Sequence, residues 1–279
     1  MSIRPLSERV AERAREWGVA VEEGLETHSS FVAFGRRGGR AVVLKVLRGP
    51  GDEWRCGEVL EAFAGRGAVR VYEQVGGAVL MERLRPGTPL TRVTLDGRDE
   101  EATEILAEVI RRMSRPAPPP EGTVTVEEWG RGFGWYLASG DSQIPRDLAE
   151  QAQDVYAGLC ASQRGVRLLH GDLHHYNVLL DDERGWLAID PKGVVGEAEY
   201  EIGAALRNPF ERPEVFATPE AVERRVRRYE AELKLDAGRA LAWGFAQAVL
   251  SAIWGIEDGF TVDDRSPTIM LARAIRPML

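Results

Sequence analysis

Apolar positions change their period along the chain, from a short helical pattern through strands to a long helical stretch. Val10, Ala11, Ala14 and Trp17 fall at helical spacing, which predicts a helix over Ser7–Trp17 with Ser7 as its N-cap. Phe31–Gly35 and Ala41–Leu47 read as strands, and Arg36–Arg37–Gly38–Gly39–Arg40 between them reads as a hairpin turn. Glu53–Ala64 suits a helix, Val69–Val75 and Ala78–Glu82 form a second hairpin around Gly76–Gly77, and Pro86 with Pro89 then breaks regular structure. Beyond these prolines helical periods predominate: Asp99–Arg115, Val126–Ala138, Arg146–Gln163, Pro219–Leu233, Asp236–Ile256 and Pro267–Arg276. The one expected interruption is a hairpin in which Val178–Leu180 and Trp186–Asp190 flank the polar turn Asp181–Gly185. Pro116–Ala117–Pro118–Pro119–Pro120 reads as a stiff surface connector. This pattern divides the chain into a small sheet-rich lobe, residues 1–84, and a mainly helical one, residues 85–279, meeting near Arg83–Pro86.

Within the helical region, His170–Gly171–Asp172–Leu173–His174–His175–Tyr176–Asn177 fits the H-x-D-L-x-x-x-N pattern of a kinase catalytic loop, and Asp190 closes the apolar run that follows. Phosphoryl transfer asks for such a set. One carboxylate, Asp172, orients the attacking hydroxyl, while an amide and a second carboxylate, Asn177 and Asp190, hold Mg²⁺ against the phosphates. Two other readings compete. Asp172 and Asn177 also suit a plain turn, and His170, His174 and His175 are spaced for zinc. The Gly171–Asp172 step favours a loop over the helix that an H-x-x-x-H pair prefers, and neither cysteine is near. Kinase chemistry also requires a lysine on the small sheet, and Lys45 at the inner end of Ala41–Leu44 supplies it, as in the V-A-I-K pattern. The expected architecture is therefore an α+β, two-lobed protein-kinase-like fold with a small β-rich N-lobe and a mainly helical C-lobe.

Length and composition narrow the alternatives. At 279 residues the chain can fold as one large or two modest domains. Met1–Pro5 leads directly into a charged amphipathic helix and no long apolar run follows, which predicts a cytoplasmic protein rather than a membrane one. Cys56 and Cys160 lie far apart without C-x-x-C spacing, as reduced structural thiols do. A net charge of −8 without a basic stripe excludes a nucleic-acid footprint. His170–Gly171–Asp172 in place of H-R-D, with no A-P-E after Asp190, speaks against a protein kinase.

The catalytic stretch, together with Ile189–Asp190–Pro191–Lys192–Gly193 and the following Glu197, Tyr200 and Glu201, resembles the aminoglycoside phosphotransferases, in the branch that contains streptomycin 6-kinases and hydroxyurea-resistance kinases. The resemblance runs from Trp17 and Thr27–His28–Ser29–Ser30 to Trp254–Gly255–Ile256–Glu257–Asp258–Gly259, nearly the whole chain. Many small-molecule kinases share H-G-D-x-x-x-x-N, whereas I-D-P-K-G is narrower and carries the branch assignment. The resemblance implies ATP and Mg²⁺ as cofactors, Asp172 as catalytic aspartate, Asn177 and Asp190 as magnesium ligands, and Lys45 as the phosphate-binding lysine. It further implies that Leu80–Met81–Glu82–Arg83–Leu84 meets adenine through its backbone at Glu82 and Leu84, and that Ser29 and Ser30 cover the phosphates. One position departs from the pattern. The glutamate that pairs with the strand lysine usually stands four residues before a leucine, and counting back from Leu60 lands on Cys56. Glu58 is the expected substitute partner and Glu53 the alternative.

Charge asymmetry bears on the acceptor. Residues 1–84 carry 13 Lys and Arg against 12 Asp and Glu, a net of +1, which leaves −9 for residues 85–279. An acidic lobe attracts cations. Glu257, Asp258, Asp263 and Asp264 near Trp254 and Phe260 offer carboxylates for guanidinium groups and rings for cation stacking, with Trp254, Glu257 and Asp258 carrying the resemblance. The expected substrate is an aminoglycoside-like cation, streptomycin phosphorylated at its 6-hydroxyl, taken by a monomer or weak dimer. Another amine or sugar acceptor is the first alternative, and an ATP-binding pseudokinase interaction module, motivated by Cys56, is the second.

Overall fold

In the computed structural model, which describes residues 4–279, the chain opens with helix α1 (Leu6–Glu16). Pro5, not Ser7, occupies the N-cap position, because its ring already fixes the extended backbone that precedes a helix. Strands β1 (Ala20–Glu26), β2 (Ser30–Arg37), β3 (Arg40–Leu47), β4 (Val71–Val75) and β5 (Ala78–Glu82) build an antiparallel sheet in the order β1-β2-β3-β5-β4. Both expected hairpins are present. β1 escapes a pattern-based reading, since all of its residues are exposed and no alternation marks it. Between β3 and β4 the expected single helix divides into a 3₁₀ turn, Asp52–Arg55, and helix α2 (Cys56–Phe63).

Alternation along β3 gives the sheet two functions. Val42, Leu44 and Val46 face α1 in a core shared with Ala33, Ala78 and Leu80, while Val43 and Lys45 fall on the opposite face, as successive strand residues must. On that opposite side α2 packs Val59, Leu60 and Phe63 into a core continuous with the rest of the molecule.

The C-terminal part continues with β6 (Pro86–Pro89), α3 (Thr91–Leu95), α4 (Asp99–Met113), α5 (Val126–Trp129), α6 (Arg131–Ser139) and α7 (Arg146–Ala161). Strands β7 (Arg167–Leu169), β8 (Val178–Asp181), β9 (Gly185–Ala188) and β10 (Val194–Gly196) follow, then a 3₁₀ turn at Ala198–Ile202. Helices α8 (Gly203–Leu206), α9 (Pro213–Phe216), α10 (Pro219–Leu233), α11 (Ala237–Glu257) and α12 (Pro267–Ile275) complete the chain. The expected helix Val126–Ala138 is two helices meeting at Gly130, whose bare Cα lies against the Tyr156 ring. Nor is the hairpin the only interruption: β6 joins it as β6-β8-β9, and β7 pairs with β10. Pro86 and Pro89 are tolerated there because β6 is an edge strand, where a missing N–H leaves no gap in the ladder.

Helix α11 forms the spine of the larger core, with Trp243, Phe245, Val249, Leu250 and Ile253 buried. It is the one helix among the described residues long and apolar enough to cross a bilayer, yet 61% of its apolar window is buried within the protein, as in a core helix. The Trp243 ring lies 5.0 Å, edge-on, from both Tyr156 and Tyr200. Its indole N–H donates to Glu197, a fully buried carboxylate also held by Arg239.

A second buried ion pair fixes α4 to α10. Arg225 is 1% exposed, and its Nη2 donates to Asp99 Oδ1 at 2.6 Å while Nη1 donates to the Asn208 carbonyl at 2.9 Å. Removing one partner of such a pair strands the other charge without solvent. Asp99→Ala is therefore expected to lower the unfolding free energy by about 3–5 kcal/mol, measured as the shift in the urea midpoint. A loss below about 1 kcal/mol, the scale of an exposed pair, would show that water reaches Arg225.

Candidate active site

The loop after β7 is held from below by its own backbone. Gly193 N–H donates to the His170 carbonyl at 2.9 Å as β10 begins. Glu201, 4% exposed, accepts from the His170 N–H at 2.7 Å and from the Gly171 N–H at 3.0 Å, one per carboxylate oxygen. Gly171 has φ +80°, and a Cβ there would stand 2.9 Å from the Trp129 ring, so only glycine fits this turn. His170 is fully buried, and burial pushes its pKa down to about 4. Its neutral ring donates from Nε2 to the Ile189 carbonyl at 2.8 Å and accepts from the Asp172 N–H at Nδ1. The ring is thus committed to shaping the loop. Both His170 ring nitrogens are engaged within the loop, which leaves neither free to ligate zinc.

Asp172, Asn177 and Asp190 are tied together through the main chain of the loop and the hairpin. Asn177 Nδ2 donates to the Asp172 carbonyl at 3.0 Å, which leaves its amide oxygen on the other side. The Asn177 carbonyl accepts from Ile189 N–H at 2.9 Å, which brings Asp190 alongside. Asp190 adopts φ +54°, a left-handed backbone that an L-residue holds only where its surroundings impose it. Strand β9 ends at Ala188, so the carboxylate projects from the bend beyond it. Burial alone would raise the Asp172 pKa, but His174, Arg207 and Lys192 outweigh it and hold the carboxyl well below its ordinary range.

Lys45, on the inner face of β3, has its ammonium 2.6 Å from Glu53 Oε2 and 3.1 Å from Asp190 Oδ1, with its side chain 4% exposed. Burial would lower its pKa, but Asp190 and Glu53 together raise it. The expectation of Glu58 as partner is corrected here. Glu58 pairs with Arg55, three residues earlier at the end of the 3₁₀ turn, because the split between that turn and α2 swings Glu53 toward the sheet instead. Cys56 sits buried beside the pair, its thiol pushed up to about 12, chiefly by burial, and therefore neutral.

Lys45 and Asp190 line a cleft of about 330 Å³ between the sheet and the hairpin. Val32, Val43 and Met81 line it from the sheet, Leu179 and Ile189 from the hairpin, and Leu84 from the connecting segment. Glu82 also lines it, but its carboxylate is turned to Arg184 and accepts from the Arg70 N–H at 2.7 Å. Neither serine of Thr27–Ser30 lines the cleft. Ser30 is 1% exposed, its N–H and hydroxyl bonded to Thr27, because this short turn between β1 and β2 closes on itself. Ser29 stays exposed.

At the mouth, the expected acidic cluster is smaller than its sequence spacing suggests. Asp264 pairs with Arg273, and Asp263 accepts from the Arg265 N–H and the Ser266 hydroxyl, so both serve the turn before α12. Glu257 and Asp258 remain exposed, and the Glu257 pKa is raised by partial burial and by Asp258 and Asp52. Trp254 lies edge-on to Trp129 at 5.5 Å, and Lys192 Nζ sits 5.3 Å above its ring and 3.8 Å from Asp52. Asp52 and Arg207 were not singled out from the sequence, and Lys192 was named there only within Ile189–Gly193, without a role. Arg207 did leave a trace there, as a lone charge closing the apolar run Ile202–Leu206, since a buried charge requires a partner.

The chain is similar over most of its length to known proteins. A family model described as "Aminoglycoside/hydroxyurea antibiotic resistance kinase" matches residues 17–259. A streptomycin 3″-kinase of Klebsiella pneumoniae is 36% identical over 242 residues, covering 85% of this chain and 88% of that one. A streptomycin 6-kinase of Streptomyces griseus is 33% identical over 243 residues, covering 81% and 74%. Among solved structures, a thermostable mutant of aminoglycoside phosphotransferase APH(4)-Ia, in ternary complex with AMP-PNP and hygromycin B, superposes with a TM-score of 0.69 over 97% of this chain and 98% of that one. At 17% identity that likeness establishes the protein-kinase-like fold.

Glu201 gives the loop a pH dependence. Burial pushes its carboxyl up to about 7, against the pull of the His170 and Gly171 N–H groups. Folding therefore favours its protonated form, a contribution complete below the ordinary value of 4.5 and lost as pH rises through about 7. Between about pH 5 and about pH 8, the wild-type unfolding free energy is expected to fall by on the order of 2 kcal/mol more than that of Glu201→Gln. Urea titrations at several pH values measure the difference, and parallel curves would refute it.

Proposed function

The chain belongs to the aminoglycoside/hydroxyurea antibiotic resistance kinase family and is a small-molecule phosphotransferase; from that premise we propose that it uses Mg-ATP to phosphorylate a hydroxyl of streptomycin. The observation that carries the proposal is the ion pair of Lys45 with Asp190 on the wall of one largely apolar cleft, with Asn177 bonded through its main chain to Ile189 and through its side chain to Asp172. An apolar slot about 330 Å³ in volume with charge on its wall suits a flat heterocycle bearing a polyphosphate. Leu84 makes no main-chain hydrogen bond among the described residues, and its N–H and carbonyl would meet the edge of adenine.

Each side chain then has a task. Lys45, steadied by Glu53 and Asp190, holds the phosphate oxygens. The Asn177 amide oxygen and the Asp190 carboxylate are hard oxygen donors that would hold Mg²⁺. When bound, the metal neutralises the charge that develops on the phosphoryl oxygens. Asp172 accepts a hydrogen bond from the acceptor hydroxyl and aims its oxygen in line, a matter of position more than of proton abstraction.

The acceptor assignment draws on the mouth of the cleft. Asp52, Glu257 and Asp258 with the Trp254 ring offer carboxylates and a stacking face to guanidinium groups, which streptomycin carries on its streptidine ring beside the 6-hydroxyl. Transfer to the 3″-hydroxyl is a second reading, favoured by the 36% identity to a streptomycin 3″-kinase. A nucleotide-binding module without turnover fits less well, because Glu53 supplies the carboxylate that Cys56 lacks.

The test is ADP release with Mg-ATP across streptomycin, other aminoglycosides, hydroxyurea and simple amino sugars. Streptomycin-dependent turnover is expected, reduced in Asp172→Ala by roughly 10²–10⁴-fold, with mass mapping of the product separating the 6 and 3″ positions. Silence with streptomycin beside turnover of another acceptor would transfer the assignment to that compound. The lysine partner has its own check: Glu53→Gln is expected to reduce kcat/KM for ATP about tenfold or more, the scale of one charge-assisted hydrogen bond, while Glu58→Gln leaves it unchanged. The reverse order would restore Glu58 as the functional partner.

A further inference from the structure

Arg207 belongs to none of the motifs that point to phosphoryl transfer, yet its guanidinium reaches the loop aspartate. Arg207 Nη2 stands 2.7 Å from Asp172 Oδ1, with the arginine side chain 8% exposed and the aspartate 18%. We propose that Arg207 is a positioning residue that pins the Asp172 carboxylate through Oδ1 and so directs Oδ2 toward the acceptor hydroxyl, an inference that rests on Asp172 being the aspartate of phosphoryl transfer.

The support for this pin is continuous with the support for the loop. Glu201 holds the main chain at His170 and Gly171, and Arg207, at the end of the following helix α8, holds the next side chain. One stretch of backbone therefore fixes both the path of the loop and the rotamer of its aspartate. That stretch is itself anchored. The Arg207 N–H donates to the Gly203 carbonyl, Asn208 Nδ2 donates to the Ala204 carbonyl at 2.8 Å, and the Asn208 carbonyl accepts from Arg225, whose charge is met by Asp99. A guanidinium mounted on such a base does not wander with its side chain, as an exposed arginine would.

The two carboxylate oxygens of Asp172 have different surroundings. Oδ1 meets Arg207 at hydrogen-bonding distance, whereas His174 Nε2 stands 3.6 Å from Oδ2, beyond a hydrogen bond. A carboxylate without the arginine would be free to turn about its last torsion, which is broad and weakly restrained. Displacing a reacting group by about an ångström is enough to cost on the order of 100-fold in rate. Arginine suits the task better than lysine, because its planar fork fixes direction as well as charge.

Two measurements test the proposal, one of them independent of the acceptor. With whichever acceptor the wild type turns over, Arg207→Ala is expected to lower kcat on the order of 100-fold while KM values for ATP and acceptor stay as they were. Millimolar guanidinium chloride should restore part of that loss and equimolar urea none; Arg207→Lys should retain an intermediate kcat. A crystal structure of Arg207→Ala with ADP should show the Asp172 carboxylate turned or split between orientations. An unmoved Asp172, a wild-type kcat, or recovery by urea as much as by guanidinium would each overturn the assignment. Should Arg207→Ala fail to bind ADP, Arg207→Gln keeps a planar donor in place and is read by the same crystal structure and kcat. Loss of the streptomycin assignment alone would leave the Asp172 orientation untouched, so the two readings fail separately.

Discussion

Lys45 is the point on which the two halves of the molecule depend. An ammonium with only 4% of its side chain exposed is costly to bury alone, and two carboxylates from different elements offset that cost. Glu53 arrives from the 3₁₀ turn before α2, and Asp190 from the bend after β9. One cation thus joins the sheet, the helix that packs on it and the catalytic hairpin. Backbone contacts run beside this tie: the Ala188 N–H donates to Gly67 and the Val69 N–H to Ala188, so the hairpin is stitched to the segment between α2 and β4. Gly193 completes the contact, since a Cβ there would stand 2.4 Å from Val59 of α2. The position of Asp190 is therefore set from both lobes.

Much of this organisation was legible in the sequence because local rules and tertiary demands agree there. Lys45 closes an apolar strand, Asp172 and Asn177 stand at loop spacing, and Pro219–Leu233 is a helix with the predicted bounds, capped by Thr218. The failures have physical reasons. β1 has no buried face to set a period. Glu58 looked better placed than Glu53 only under a single uninterrupted helix; breaking it at Arg55 reverses the geometry. Asp263 and Asp264 share a sequence neighbourhood with Glu257, but turn formation and Arg273 claim them first. Arg207 shows in the sequence only as a lone charge after an apolar run, and its partner, 35 residues away across the fold, is not encoded by spacing.

Buried polar groups, more than apolar packing, separate the catalytic loop from an ordinary turn. Apolar contacts tolerate a range of shapes of equal volume, whereas His170, Glu201 and Arg207 each accept few geometries because an unmet donor or acceptor in a dry site is expensive. His170 spends both ring nitrogens on the loop and on Ile189. Glu201 spends both oxygens on consecutive N–H groups. The direction of Asp172 is the sum of these commitments, which is how a loop with no regular structure can present a carboxylate in one orientation.

The mouth of the cleft shows how the same logic extends to the acceptor. Lys192 already lies 5.3 Å above the Trp254 ring and 3.8 Å from Asp52, so a cation supplied by the chain itself occupies the kind of aromatic and acidic surroundings that a guanidinium would seek. Lys192 is also close enough to bear on Asp172. The electrostatics of the loop aspartate and of the Trp254 surface thus meet in one side chain.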